Sequence, residues 1–415
     1  MHFIRCVFHC SRGIAKLRRM NRCAENSEWM HLPDYTGHSI VNLMASLSLA
    51  CHGGSTGYAT VPGTGLANLP RARNIVLLII DGLGHDFLMH QCRGSLLNQY
   101  CLGELSSVCP STTASAIPTF LTGLPPQQHG FTGWFTYFSE IGSVLAVLPY
   151  RTRIGNLPLD EAALSPASLS GAASFFSSIP ISSTQIIPDI IAGSSFNRAF
   201  SGRAQVAPFA GLSGLRTALR RALTRGRERR LIYAYWPEFD SLAHQFGVGS
   251  PQVQYHFLQL DLFFRDLLRD LQGSDTILLV TADHGFIDTA QDRSIHLEQH
   301  PDLQQTLMVP LCGESRLAFC YVHPGLESEF ETYVREHFAD QAALLPSRQL
   351  LEAGWFGLGA PHPMLQHRIG HYALVMKGNW MITGRLPGER PLHHIGVHGG
   401  VSAEEMYVPL VYAEC

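Results

Sequence analysis

No run of 18 or more apolar residues occurs in this sequence, so no membrane-spanning helix is expected. Neither sign of charge dominates: 30 Lys and Arg stand against 33 Asp and Glu, a formal net charge of -3 with His neutral. That balance supplies no global basic field for gripping a nucleic-acid polymer or an anionic membrane, and it suits a small or locally bound substrate better. The ten cysteines are irregularly spaced, with no Cys-x-x-Cys pair, and they read as mostly reduced, buried thiols of a cytoplasmic protein. No signal peptide is recognisable. Residues 1–29 carry Arg5, Arg12, Lys16, Arg18, Arg19 and Arg22 without apolar continuity, and they read as a disordered leader or an over-extended reading frame with a start at Met30. Internal repeats and long low-complexity tracts are absent too, although 164–202 is rich in Ser and Ala.

What is present is apolar mass in an ordered pattern. The chain has 415 residues, 46% of them hydrophobic, enough for a large core and more than one usual domain length. Ser39 to Cys51 carries Ile40, Leu43, Met44 and Leu47 at helical spacing, and a Gly- and Pro-bearing linker from Gly53 to Pro70 follows. Asn74 to Ile80 is then a continuous apolar run closed by Asp81-Gly82-Leu83-Gly84. Such a run suits a strand buried on both faces, as in a parallel sheet. Leu231 to Trp236, leading to Asp240, and Thr276 to Thr281, leading to Asp283-His284-Gly285, repeat the design. With the helical spacing of Gln254 to Leu271 between them, these runs predict an α/β doubly wound, mostly parallel sheet. In all three, polar residues gather at the C-terminal end, where open α/β sheets place their sites. The expected division is an N-terminal helix and linker over 30–69, a catalytic α/β domain over 70–300 and 395–415, and a smaller α+β cap over 301–394.

Four motifs carry chemistry together. An Asp closing a strand, as Asp81 does, is usually a turn or helix cap. Pro110-Ser111-Thr112-Thr113-Ala114, before a small-residue segment, offers hydroxyls at a helix start, where unpaired backbone N–H groups favour an anion such as phosphate. Asp240 and His244 stand four apart, so one helical turn presents both to the same side. Asp283 and His284 are adjacent at a buried strand end, a costly placement unless they are paired or bind metal, and His398 opens a late His-Gly-Gly. Three Asp, three His and one hydroxyl form a donor set suited to zinc or a similar divalent ion, with manganese and iron accepting the same ligands. Two such ions about 4 Å apart clamp the attacking and leaving oxygens of a phosphoryl group. Metal coordination also activates a threonine hydroxyl, so no separate base is required.

The order Asp81, Pro-Ser-Thr-Thr-Ala, Asp-x-x-x-His, Asp-His-Gly and a late His-Gly-Gly resembles the alkaline phosphatase superfamily, and within it the type I phosphodiesterase/nucleotide pyrophosphatase family. The resemblance implies one metal held by Asp240, His244 and His398, and a second held by Asp81, Asp283 and His284. It further implies that Thr113 contacts both and becomes a phospho-threonine during turnover. The family's nine-residue spacing to the Thr of the Thr-Gly-Leu element, here Thr122, selects Thr113 over Thr112. Two departures stand out: Trp134 falls where the better-known pyrophosphatases align an Asn on the phosphate, and the tail after His398 is closer to phosphomutases and bacterial phosphodiesterases.

The expected activity is hydrolysis of phosphodiester or pyrophosphate bonds in a small, nucleotide-like phosphoester. The rivals are a phosphomonoesterase or phosphonate hydrolase on the same site and, from another class, a catalytically silent metal-binding protein. Cys109-Pro110-Ser111 lacks the Arg of a sulfatase motif. The Arg cluster from Arg216 to Arg230 reads as a solvated helix face. His296, His300, His362, His367, His371, His393 and His394 exceed what two metals need.

Overall fold

The computed structural model describes residues 28–63, 65–159, 164–224, 226–389 and 393–415. The expected leader lies, apart from its last two residues, outside the described residues.

Seven strands build the main sheet: β1 (Asn74–Ile80), β2 (Cys101–Ser106), β3 (Ser182–Pro188), β4 (Gln205–Phe209), β5 (Arg230–Trp236), β6 (Thr276–Thr281) and β7 (Tyr407–Glu414). Their spatial order is β2-β7-β6-β1-β5-β3-β4. β1 pairs in parallel with β5 and β6, and β3 with β4 and β5, whereas β7 runs antiparallel between β2 and β6. Every residue of β1, β5 and β6 is buried, which is why their sequences are continuous apolar runs rather than alternating ones. The fold is thus the expected α/β architecture around a mostly parallel sheet.

Helices cover this sheet. In α1 (Ile40–Ala50) only Leu49 reaches solvent. Asn42, the residue that interrupts its apolar run, completes a capping box with Ser39, and its side-chain amide also donates to the Tyr35 and Ala59 carbonyls. α1 packs on α2 (Thr113–Thr122), α3 (Glu238–Phe246) follows β5, and α4 (Pro251–Leu271) lies against α3. The Arg cluster is partly tied into this layer: Arg216 bonds Asp270 and Asp266 of α4, and Arg229 donates to the Leu69 and Ala72 carbonyls.

A second, antiparallel sheet also has seven strands, in the order 342–346, 372–376, 317–320, 312–313, 135–138, 143–146 and 151–152. Its last three strands come from the 70–300 segment, outside the 301–394 stretch that supplies the other four. They are short, and Phe135–Phe138 alternates between half-buried and buried positions, so they leave no apolar run to read.

One ion pair joins the two sheets. Arg316, beside the strand 317–320, donates from Nε and Nη2 to the two oxygens of Glu405, just ahead of β7, at 3.0 and 2.9 Å. Both side chains are buried. Glu405 in turn accepts the Gly400 N–H at 2.8 Å, so this pair fixes the turn that carries His398. Replacing one partner leaves the other charge buried and alone, a penalty of about 3–5 kcal/mol. Arg316→Leu is therefore expected to lower unfolding free energy by that amount in denaturant titration. A loss below about 1 kcal/mol would show that the turn does not depend on the pair.

Candidate active site

The C-terminal ends of three adjacent strands deliver the acidic residues. Asp81 follows β1 directly, Asp240 sits in the first turn of α3 after β5, and Asp283 follows β6 by two residues. The antiparallel β7 enters the sheet from this same end, with Tyr407 opposite Ser106 at the end of β2. The 398–406 turn ahead of it therefore closes over the ends of the parallel strands.

Within this rim the side chains converge as two triads. Asp240, His244 and His398 each offer a donor atom within 4.8 Å of the others, and so do Asp81, Asp283 and His284. In the first triad, Asp240 Oδ1 lies 3.4 Å from His244 Nε2 and 3.7 Å from His398 Nε2. In the second, His284 Nε2 lies 3.3 Å from Asp81 Oδ1 and 3.6 Å from Asp283 Oδ2. The triads touch, since His284 Nε2 is 3.9 Å from Asp240 Oδ1 and the His284 and His398 rings stack at 3.7 Å. Thr113 Oγ1 lies against the second triad, 3.0 Å from His284 Nε2 and 3.4 Å from Asp81 Oδ1, and His284 is also the residue through which that triad meets the first. The structure thus brings together all seven residues singled out in the sequence.

Neighbouring groups aim these donors. His244 Nδ1 contacts the Gly396 carbonyl at 2.9 Å and His284 Nδ1 the Gly285 carbonyl at 3.0 Å, which leaves Nε2 of each ring turned inward. Asp283 Oδ1 accepts the Gly82 and His284 N–H groups, both at 3.1 Å. The Tyr235 hydroxyl donates to Asp81 Oδ2. Backbone contact is so close at the Asp-His-Gly motif that a Cβ on Gly285 would lie 1.9 Å from the Glu404 carbonyl oxygen.

Two observations test whether the pocket fits metal. Asp240 Oδ1 and Asp283 Oδ2, one from each triad, are buried and accept no hydrogen bond, a combination that demands a proton or a cation. The protonation equilibria agree. Burial pushes the Asp283 carboxyl up to about 8, with the charge of Asp81 adding to it. Burial likewise raises Asp240 to about 7, and it raises Asp81, with Asp240 contributing. Burial opposes the charged form of His284, yet the fields of Asp283, Asp81 and Asp240 carry it up to about 10. Without a metal, protons must offset the crowded carboxylates. Oxygen and imidazole donors in this number suit a zinc-like divalent ion in each triad.

Thr112 is the N-cap of α2 but does not cap it with its side chain; its hydroxyl donates instead to Glu314 Oε1 at 2.7 Å. Among the described residues, the N–H groups of Thr113 and Ala114 have no hydrogen-bond acceptor. Two donors at a helix N-terminus are therefore free beside the Thr113 hydroxyl. The Trp134 N–H points elsewhere, to the same Glu314 oxygen at 2.6 Å.

Three nearby groups escaped the sequence reading or were left undecided there. Tyr235 is indistinguishable from packing in a buried strand. Glu314 sits in the second sheet, far from any motif in sequence. Glu405 had a usable signal, the Ser-x-x-Glu capping box that opens at Ser402. Of the surplus histidines, His394 stacks on His244 at 4.1 Å. Others have structural partners, such as His371, which accepts the Val322 N–H, and His300, which contacts the Tyr333 hydroxyl. The seven described cysteines are all free, and Cys109 is buried away from any sulfatase-like role.

Residues 75–400 match the family model described as type I phosphodiesterase / nucleotide pyrophosphatase. Among solved structures, the chain is similar in fold to murine ectonucleotide pyrophosphatase / phosphodiesterase 5, at 16% identity and a TM-score of 0.63, over 81% of this chain and 87% of that one. An inactive threonine-to-alanine variant of the murine protein in complex with AMP, and the human protein, give the same identity and coverage with TM-scores of 0.62. No curated protein sequence matches.

The charge crowding has a consequence for stability when divalent cations are stripped by a chelator. Asp240, Asp283 and His284 all hold protons more tightly in the folded state, so their stabilising protonation is lost as pH rises through about 7, 8 and 10. His244, pulled down to about 4 by burial, acts with the opposite sign, but its effect is complete once pH exceeds its unfolded value of 6.5. Between pH 6.5 and 9 the melting temperature of stripped protein is therefore expected to fall, and added divalent cation should reverse the trend. A melting temperature that stays flat across this range would contradict the assignment of these charges.

Proposed function

The chain belongs to the type I phosphodiesterase / nucleotide pyrophosphatase family of hydrolases, and from that premise we propose that it cleaves a phosphodiester or pyrophosphate bond of a small, nucleotide-like substrate through a covalent ester on Thr113. The observation that carries this reading is the position of Thr113 Oγ1, which lies against the Asp81–Asp283–His284 triad, at the histidine that meets the other triad, and beside two unpaired backbone donors. The AMP complex of a protein of similar fold, formed with a threonine-to-alanine variant called inactive, supports both the nucleotide-like substrate and the threonine.

On this reading Asp240, His244 and His398 would hold one divalent ion, and Asp81, Asp283 and His284 would hold the other. The bound ions would supply positive charge against the phosphoryl oxygens and lower the pKa of the Thr113 hydroxyl. The chain's own groups do the rest. Thr113 Oγ1 gives up its proton to solvent and attacks phosphorus, a new O–P bond forms, and the bond to the leaving alcohol or phosphate breaks, the departing oxygen taking up a proton from solvent. The Thr113 and Ala114 N–H groups hold a non-bridging oxygen, aided by the positive end of α2, and thereby take the place of the family's Asn side chain. Tyr235 keeps Asp81 aimed inward through its hydroxyl. Water then attacks the Thr113 ester, the O–P bond to Thr113 breaks, and the hydroxyl is restored.

A silent metal-binding protein would have no use for a hydroxyl at this point. Thr113→Ala is therefore expected to retain bound metal in elemental analysis while phosphodiester turnover falls by about a thousandfold or more. Unchanged turnover would remove Thr113 from the mechanism.

A further inference from the structure

Glu314 is a fourth carboxylate at this site and belongs to neither triad. It comes from the second sheet, in the turn between the strands 312–313 and 317–320. Its Oε1 gathers the Thr112 hydroxyl and the Trp134 N–H, so the carboxylate lies one residue from the nucleophile and against the loop that aligns with the family's phosphate-binding Asn. On its other flank it packs on the His-Gly-Gly turn: a Cβ on Gly399, whose φ is +103°, would lie 2.5 Å from Glu314 Cβ and Cγ. Glu314 is thus held from three sides beside the place where a phosphoryl group reacts. Its second oxygen, Oε2, has no hydrogen-bond partner among the described residues.

A negative charge is an unexpected neighbour for an anionic substrate, and it has a selective effect. Two divalent ions would exceed the charge of Asp81, Asp240 and Asp283 by one positive unit, and Glu314, whose carboxyl burial pushes up to about 7, cancels that unit once the pH is above that value. A diester phosphoryl group carries one negative charge at neutral pH, whereas a monoester carries nearly two. The added repulsion from Glu314 therefore weighs about twice as heavily on the monoester. We propose that Glu314 is a specificity-determining residue that disfavours phosphate monoesters and other dianionic phosphoryl groups, leaving the site to singly charged diesters. This inference rests on the phosphoryl-transfer reading of the site and decides among its possible substrates. It also gives a reason for Thr112 to leave α2 uncapped, since the same hydrogen bond anchors Glu314 and frees the helix N-terminus.

Glu314→Gln is the discriminating variant, because the amide oxygen can still accept from Thr112 and Trp134 while the charge is gone. With metal-loaded protein at pH 8.5, kcat/KM is measured for bis(4-nitrophenyl) phosphate and for 4-nitrophenyl phosphate. The diester-to-monoester ratio should fall by about tenfold or more in the variant, driven by a rise in the monoester rate. Calorimetric titration with inorganic phosphate, a dianion at this pH, should show tighter binding to the variant. A merely structural role would move both substrates together, so an unchanged ratio with unchanged phosphate affinity overturns the proposal. Should the variant fail to fold, wild-type protein is titrated with dimethyl phosphate and with inorganic phosphate. Preference for the singly charged ligand supports the proposal, and preference for the dianion overturns it. Wild-type protein that hydrolyses neither ester overturns the phosphoryl-transfer reading and this inference with it; diester hydrolysis with an unchanged ratio overturns this inference alone.

Discussion

Three carboxylates and a histidine share a volume from which water is excluded, and most of the architecture around the site answers to that constraint. Asp81, Asp283 and His284 are buried, and Asp240 is nearly so, with their donor atoms within a few ångströms of one another. Uncompensated, such crowding would be prohibitive. Part of the compensation is local: two backbone N–H groups serve Asp283, a tyrosine hydroxyl serves Asp81, and backbone carbonyls turn the His244 and His284 rings inward. The remainder has to come from cations or protons, because Asp240 Oδ1 and Asp283 Oδ2 accept no hydrogen bond from the protein. A pocket that requires positive charge is also one that attracts a phosphoryl group.

Holding this arrangement takes both sheets. The parallel strands β1, β5 and β6 supply the carboxylates at their ends, but His398 arrives on the turn ahead of β7. That turn is set by Glu405, whose carboxylate is fixed by Arg316 of the second sheet. Glu405 also steadies the other triad, since its backbone carbonyl accepts the Gly285 N–H at 2.9 Å. The second sheet contributes more than a wall: through Glu314 it touches Thr112, Trp134 and the His-Gly-Gly turn at once.

The parts legible in the sequence were those with a one-dimensional signature. Buried parallel strands appear as unbroken apolar runs, so β1, β5 and β6 could be read almost to the residue; the motifs at their ends named five of the converging side chains, and the Pro-Ser-Thr-Thr-Ala and His-Gly-Gly motifs named Thr113 and His398. The strands 135–138, 143–146 and 151–152 were not legible, because short antiparallel strands with one half-buried face leave neither a run nor a clean alternation. Glu314 and Tyr235 were hidden for a different reason. Their importance lies wholly in what the fold sets against them, and an isolated Glu after a short strand, or a Tyr inside an apolar one, has no pattern to betray it. The helix of Thr113 was foreseen as an anion-friendly N-terminus, but the diversion of Thr112 to Glu314 was not, since an N-terminal Thr ordinarily caps its own helix.

The claim that everything else serves is that Thr113 becomes covalently attached to phosphorus. It is tested most directly by quenching metal-loaded protein in acid during turnover of a nucleotide-derived phosphodiester, digesting it, and locating any phosphoryl adduct by tandem mass spectrometry. The account predicts an adduct on the peptide from the start of α2, with the fragment masses assigning it to Thr113. An adduct on Thr112, Ser111 or any histidine, or none while product accumulates, would contradict it.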